Sequence, residues 1–254
     1  MTVIIAKNCG FCFGVRQATE TLERIASEAS KVGGAVYTYG DVIHNKQYSE
    51  KMRAAGVITI GRDDILRIID EARSGRNVTI LVRAHGITKE ETENLLSAEK
   101  NTPNFSVVDC TCPIVKRAQA IAQSETNEDT VFILIGAAEH PEVRGIVSYA
   151  RSKSFVFSSS GELLQFLSSD DASFLENKTI IIAGQTTLTS SEWEKSKEII
   201  ANLYTNVKFF DTICTVTDKR QREAEEIAAK ADAMLIIGGA NSSNTRKLYE
   251  ICAS

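Results

Sequence analysis

At 254 residues the chain is long enough for a sizeable core and roughly two domains. Apolar residues make up 43% and charged residues 24%, and a net charge of −4 leaves no global field for holding nucleic acid or an anionic membrane. No apolar run approaches the ~20 residues of a bilayer span, and the opening MTVIIAKNCGFCFG lacks a secretory pattern. A cytoplasmic protein with no membrane or nucleic-acid partner is expected. Six cysteines in a chain that is neither short nor secreted point to thiols, free or metal-bound, over a disulfide framework.

The predicted elements alternate along the chain. A strand at Val3–Ala6 leads into a helix with the stripe Val15, Ala18, Leu22, Ile25 and Ala29. Strands follow at Ala35–Tyr39, Val78–Ala84 and Ser106–Asp109, then a helix beginning with Val115, Ala118 and Ala122. Further strands fall at Val131–Ile135, Phe155–Phe157 and Thr179–Ala183, followed by a helix marked by Trp193, Ile200 and Leu203. The last stretch gives Val207–Phe210, a helix with Ala224, Ile227 and Ala231, and a strand at Ala233–Ile237. Most of these strands are apolar on both faces, as parallel strands covered on both sides are. The pattern predicts α/β with mostly parallel sheets.

A weak repeat runs through it. Val107-Val108-Asp109-Cys110-Thr111-Cys112 and Phe209-Phe210-Asp211-Thr212-Ile213-Cys214 both read strand, Asp-x-x-Cys, helix. The first predicted strand is likewise followed by Cys9, Cys12 and a helix. Cys12 and Cys112 lie 100 residues apart, and Cys112 and Cys214 lie 102 apart. Three similar units, each offering one thiol at a strand end, would give that spacing.

Open α/β sheets bind ligands beyond the carboxyl ends of their strands. Those ends hold Cys12, His44, His85, Cys112, His140, Glu142, Gln185-Thr186-Thr187, Cys214 and Asn241-Ser242-Ser243-Asn244, including every histidine of the chain. A single Cys is more often a small buried apolar residue, and Cys252, on a helix stripe with Leu248, suits that role. Cys9-x-x-Cys12 and Cys110-x-Cys112 resemble half of a zinc site, and the first also resembles a redox pair. Three thiols from three distant segments suit an iron–sulfur cluster better. With three ligands one iron stays open as a Lewis acid. Four small polar residues opening the last helix exceed what an N-cap needs and form a candidate anion site. Glu142, two residues from His140, is a candidate proton donor if its surroundings are dry.

The segments Gly10-Phe11-Cys12-Phe13-Gly14-Val15, Val42-Ile43-His44-Asn45, Arg83-Ala84-His85-Gly86, Thr111-Cys112-Pro113, His140-Pro141-Glu142-Val143, Gln185-Thr186-Thr187-Leu188, Asp211-Thr212-Ile213-Cys214 and Asn241-Ser242-Ser243-Asn244 occur in this order. Together they closely resemble the 4-hydroxy-3-methylbut-2-enyl diphosphate reductases, iron–sulfur enzymes of the non-mevalonate isoprenoid pathway. The resemblance implies three pseudo-equivalent α/β lobes around a central iron–sulfur site, here 14–112, 113–210, and 1–13 with 211–254. It implies one 4Fe–4S cluster on Cys12, Cys112 and Cys214 with one open iron. His44, His85, His140, Thr186, Ser242, Ser243 and Asn244 would bind the diphosphate substrate, and Glu142, Thr186 and His140 would serve catalysis. The implied reaction is reductive dehydroxylation to isopentenyl and dimethylallyl diphosphates, with two electrons from a ferredoxin or flavodoxin. The family pattern also runs on beyond Ser254, with a further strand and a Ser-bearing loop. Two other readings stay open: a three-lobed dehydratase similar to quinolinate synthase, and a zinc-stabilised binding protein.

Overall fold

A computed structural model describes residues 2–253. They fall into two compact units, one made of Phe11–Pro113 with Gly238–Ser242 and the other of the remaining described residues.

The first unit holds α1 (Phe13–Val32), β1 (Ala35–Tyr39), α2 (Lys46–Ala54), β2 (Val57–Ile60), α3 (Ile65–Arg73), β3 (Val78–Val82), α4 (Lys89–Asn101) and β4 (Phe105–Asp109). Its four strands are parallel, in the order β2-β1-β3-β4. The second holds α5 (Pro113–Ser124), β5 (Thr130–Ile135), α6 (Pro141–Val147), β6 (Lys153–Phe157), α7 (Ser160–Leu167), β7 (Thr179–Gly184), α8 (Ser190–Leu203), β8 (Val207–Phe210), α9 (Thr215–Ala228) and α10 (Ser243–Ala253). Its parallel strands run β6-β5-β7-β8, the same topology again.

Each sheet buries both faces, with the period of two that a strand imposes. Tyr37, Tyr39, Ile80 and Val82 face one core, and Val36 and Leu81 face the other with Leu22 and Met52. In the second sheet Ile133, Ile135, Ile180 and Ile182 meet Trp193 on one side. Phe132, Leu134 and Ile181 meet Ala118, Ala122 and Ile146 on the other. Burying such a side chain stabilises by about 1.5–3 kcal/mol, so the central strands are the firmest part of each unit. Local signals set the ends: Gly33 closes α1 at φ 67°, and Thr88 and Glu91 form a capping box at the start of α4.

The expected α/β fold with parallel sheets is borne out, as two sheets. The strands expected at Val3–Ala6 and Ala233–Ile237 are not formed. A strand persists only where a neighbour takes its backbone hydrogen bonds, and neither segment is paired. Val3, Ile4, Ile5, Leu235 and Ile237 are accordingly exposed. In the region expected to be a third lobe, α9 and α10 pack on one another, and no sheet covers them among the described residues. Leu203, expected on the buried stripe of α8, is 52% exposed. The sequence reading also missed β2, a four-residue edge strand in which only Val57 and Ile60 are buried.

These exposures carry a consequence for stability. Leu235→Ser and Ile237→Ser should each shift the unfolding free energy by less than ~0.5 kcal/mol, because the side chains are 83% and 86% exposed. Urea unfolding checks this; a loss above ~2 kcal/mol would place them in a core.

Candidate active site

The two sheets present their loops in the same way. Both Gly40, just after β1, and Gly136, just after β5, donate backbone N–H to the last residue of the edge strand, Ile60 O at 3.0 Å and Phe157 O at 2.8 Å. Four residues beyond each glycine stands a histidine, His44 in one unit and His140 in the other. A Cβ on Gly40 would strike the Arg83 guanidinium, and one on Gly136 would strike the Gln185 side chain. Arg83 and Gln185 are the equivalent first residues beyond the inner strands β3 and β7. The last strand of each sheet then ends in Asp-x-x-Cys. Asp109 accepts the Thr111 N–H at 2.9 Å and Asp211 the Ile213 N–H at 3.3 Å, the same turn in both. Finally Cys112 N–H bonds Ala84 O and Cys214 N–H bonds Thr186 O, each at 2.9 Å. The repeat seen in the sequence is therefore a repeat of hydrogen bonds.

In the first unit the loops after β1 and β3 stack His44 on His85, with ring centroids 4.9 Å apart. Burial, and then the nearby Arg83 cation, hold the His44 pKa below its ordinary value, while Asp41 pulls the other way. At neutral pH His44 is thus a neutral imidazole with one N–H to donate. Cys12 is the N-cap residue of α1 and makes no side-chain capping bond. Two residues on, Gly14 packs against Cys112 so closely that a Cβ there would lie 2.9 Å from the Cys112 Sγ. Ser242 closes a turn, donating its N–H to Gly239 O at 3.0 Å.

In the second unit Glu142 lies at the start of α6 with only 2% of its surface exposed. Both carboxylate oxygens are held by one residue: Thr186 donates its N–H to Oε1 at 2.8 Å and its hydroxyl to Oε2 at 3.0 Å. Burial pushes the Glu142 carboxyl above its usual range, and the two Thr186 bonds pull it back only in part. His140 caps α6 by accepting the Glu142 N–H on Nδ1 at 3.2 Å, which places the proton of the neutral ring on Nε2. Gln185 accepts the Ala137 N–H on Oε1 at 3.1 Å, while its buried Nε2 has no partner among the described residues. Ser243 and Asn244 open α10, and Asn244 accepts a 3.3 Å bond from the Thr217 hydroxyl.

All six cysteines are thiols, with no disulfide between them. Cys12, Cys112 and Cys214 share one feature: each immediately precedes a helix, α1, α5 or α9. The helix N-terminus carries partial positive charge, which suits an anionic thiolate-bound cluster. That donor set fits an iron–sulfur group. The other cysteines differ. Cys110 is in the core with Leu81 and Ala84, and Cys9 is exposed. Cys252 lies 3.9 Å from Ala224 O, where burial pushes its thiol pKa up. No helix among the described residues is long and apolar enough to cross a membrane.

Comparison with known proteins decides the family. The family model described as LytB protein matches residues 3–254. The chain belongs to the LytB family. A relative from Geotalea uraniireducens, a 4-hydroxy-3-methylbut-2-enyl diphosphate reductase, is 37% identical over 255 residues, 99% of this chain and 80% of the relative. One of the same name from Pelobacter propionicus is 38% identical, covering 100% of this chain and 81% of the relative. Among solved structures, (E)-4-hydroxy-3-methyl-but-2-enyl diphosphate reductase matches with TM-score 0.68 and 31% identity over 98% of this chain and 81% of that one. The E-1-hydroxy-2-methyl-but-2-enyl-4-diphosphate reductase of Plasmodium falciparum matches with TM-score 0.78 and 26% identity, over 96% and 70%. The resemblance drawn from the eight motifs is borne out, and so is the expectation of a reductase-family enzyme. Membership of the LytB family, with relatives named as reductases, decides against the three-lobed dehydratase and against a protein without catalysis.

Proposed function

We propose that the chain reduces (E)-4-hydroxy-3-methylbut-2-enyl diphosphate to isopentenyl and dimethylallyl diphosphates. The observation that carries this reading is the buried pair Glu142–Thr186, whose loop also takes the Cys214 N–H. A buried carboxyl with a raised pKa and a candidate metal ligand are thereby fixed to one stretch of backbone. Cys12, Cys112 and Cys214 would hold a 4Fe–4S cluster. When bound, that group supplies electrons and an open Lewis-acid position.

The overall change takes up two electrons and two protons. The allylic C–O bond breaks, oxygen leaves as water, and the allylic carbon gains hydrogen. Burial raises the Glu142 pKa, so the carboxyl keeps its proton to a higher pH than an exposed glutamate does, within hydrogen-bond reach of the Thr186 hydroxyl. Thr186 orients substrate and relays that proton. Gln185 Nε2, a buried donor with no partner among the described residues, offers a further hydrogen bond beside this pair. His44, as neutral imidazole, donates one N–H to the diphosphate together with His85 and His140. Ser242, Ser243 and Asn244, around the start of α10, add hydroxyl, amide and backbone donors. Under this reading 1–13 and 211–254 make the third lobe. A ferredoxin or flavodoxin delivers the electrons singly, and the protein works in the cytoplasm.

Anaerobic purification tests the proposal. The protein should be brown, carry about four irons with matching sulfide per chain, and reduce the allylic diphosphate when given a low-potential donor. Cys252→Ser should leave the iron content unchanged. Zinc without iron, or iron without turnover of this diphosphate, would overturn the reading.

A further inference from the structure

Thr212 has no role in the reading above, yet its position is unusual. It is 1% exposed and sits two residues before Cys214, at the end of the second sheet. Its hydroxyl makes two hydrogen bonds to a single residue: it accepts the Gly184 N–H at 3.0 Å and donates to Gly184 O at 2.5 Å. The β7–β8 ladder has run out at that point, its last register pair being Ala183 with Phe210.

The equivalent place in the first sheet is Cys110, which, like Thr212, lies two residues before its ligand-type cysteine. There the link is made by backbone, Cys110 N–H to Val82 O at 3.0 Å. The same junction is thus closed by main chain in one sheet and by a hydroxyl in the other. Beyond the junction, Gly184 leads directly to Gln185 and Thr186, and Thr212 leads to Ile213 and Cys214. The next cross-link is Cys214 N–H to Thr186 O at 2.9 Å.

We infer that Thr212 is a positioning residue: its hydroxyl clamps the ends of β7 and β8 so that Cys214 and the Thr186–Glu142 pair keep a fixed spacing. A serine keeps the hydroxyl; a valine keeps the shape and loses both bonds. The inference rests on the proposed function for the importance of Cys214 and Thr186, but the clamp itself can be tested without iron, substrate or turnover.

The first measurement uses the full chain freed of metal. Peptide-resolved alkylation gives the rate at each cysteine, and hydrogen exchange gives the protection of the Cys214 amide. Thr212→Val should raise the alkylation rate of Cys214 and the exchange rate of its amide about tenfold each, the order expected when one or two hydrogen bonds are lost. Thr212→Ser should stay within about twofold of the parent, and Cys112, in the other unit, should be unchanged in both variants. If Thr212→Val does not fold, Thr212→Ala removes the same hydroxyl without bulk and is read in the same way. In the loaded enzyme Thr212→Val should lower kcat about tenfold with KM within about twofold, and Thr212→Ser should restore it. An unaltered Cys214 in the valine or alanine variant overturns the clamp, as does an equal change at Cys112, which would mean general loosening. An altered Cys214 with normal kcat overturns its positioning role. A protein that takes up no iron refutes the reductase reading and leaves the clamp measurements intact.

Discussion

Glu142→Gln should lower turnover by about 10²–10⁴-fold, the range for losing a positioned proton donor, with little loss of fold. The substitution is close to neutral sterically. The glutamine Oε1 can still accept the Thr186 N–H, and its Nε2 can donate to the Thr186 hydroxyl, so both contacts seen at 2.8 and 3.0 Å have replacements. What disappears is the transferable proton. The pH dependence gives a second check, because burial raises the Glu142 pKa in the folded state. Below the unfolded-state pKa the carboxyl is neutral in both states and costs nothing. As pH rises through that value the unfolded chain ionises while the native one does not, so the parent loses stability until pH passes the native pKa. Glutamine has no such titration. The variant should therefore match the parent in acid and be the more stable of the two near neutral pH, as measured by urea midpoints across pH. Parent turnover should fall as pH rises through the raised pKa, and this limb should be missing from the residual activity of the variant. Near-parental turnover in Glu142→Gln would remove it as the donor.

The legibility of this site in the sequence followed the physics of each signal. β5 and β7 were read because every one of their central residues is apolar and buried, and such runs need no partner to be recognised. β2 was missed because an edge strand buries little; only two of its four residues reach the core. Val3–Ala6 and Ala233–Ile237 carry the apolar code of strands, but composition does not supply a neighbour, and without one the backbone stays unpaired. Among the site residues, Glu142 was visible as a carboxylate near His140, while its grip by both donors of Thr186 depends on the fold. Thr212 was passed over for a different reason. It lies within the Asp-x-x-Cys repeat, but a threonine beside a cysteine is unremarkable until its two bonds to Gly184 are seen. The comparison that could have found it is its alignment with Cys110, a polar hydroxyl facing a small thiol at the same step of the repeat.

A single methyl group at Gly14 is expected to have a large effect on the iron content. Ala in place of Gly ordinarily favours a helix by about 0.8–1.0 kcal/mol, so Gly14→Ala should strengthen α1 if nothing else mattered. Here the added Cβ would lie 2.9 Å from the Cys112 Sγ and 3.2 Å from its Cβ. Rotating the thiol away relieves the first contact and leaves the second. Moving the Cys112 backbone relieves both, but its N–H is tied to Ala84 O at 2.9 Å, at the end of an inner strand. Each way of relieving the clash thus displaces the sulfur from the place it occupies beside α1. If Cys112 is a cluster ligand, Gly14→Ala should retain less than half of the roughly four irons expected per chain, close to the loss from Cys112→Ser. Its urea midpoint should meanwhile change far less than its iron content, because the clash is confined to one side chain at the rim of the core. Iron and sulfide analysis beside urea unfolding separates the outcomes. Full iron in both Gly14→Ala and Cys112→Ser would remove Cys112 from the ligand set, whereas full iron in Gly14→Ala alone would show that the α1–Cys112 contact yields without moving the thiol.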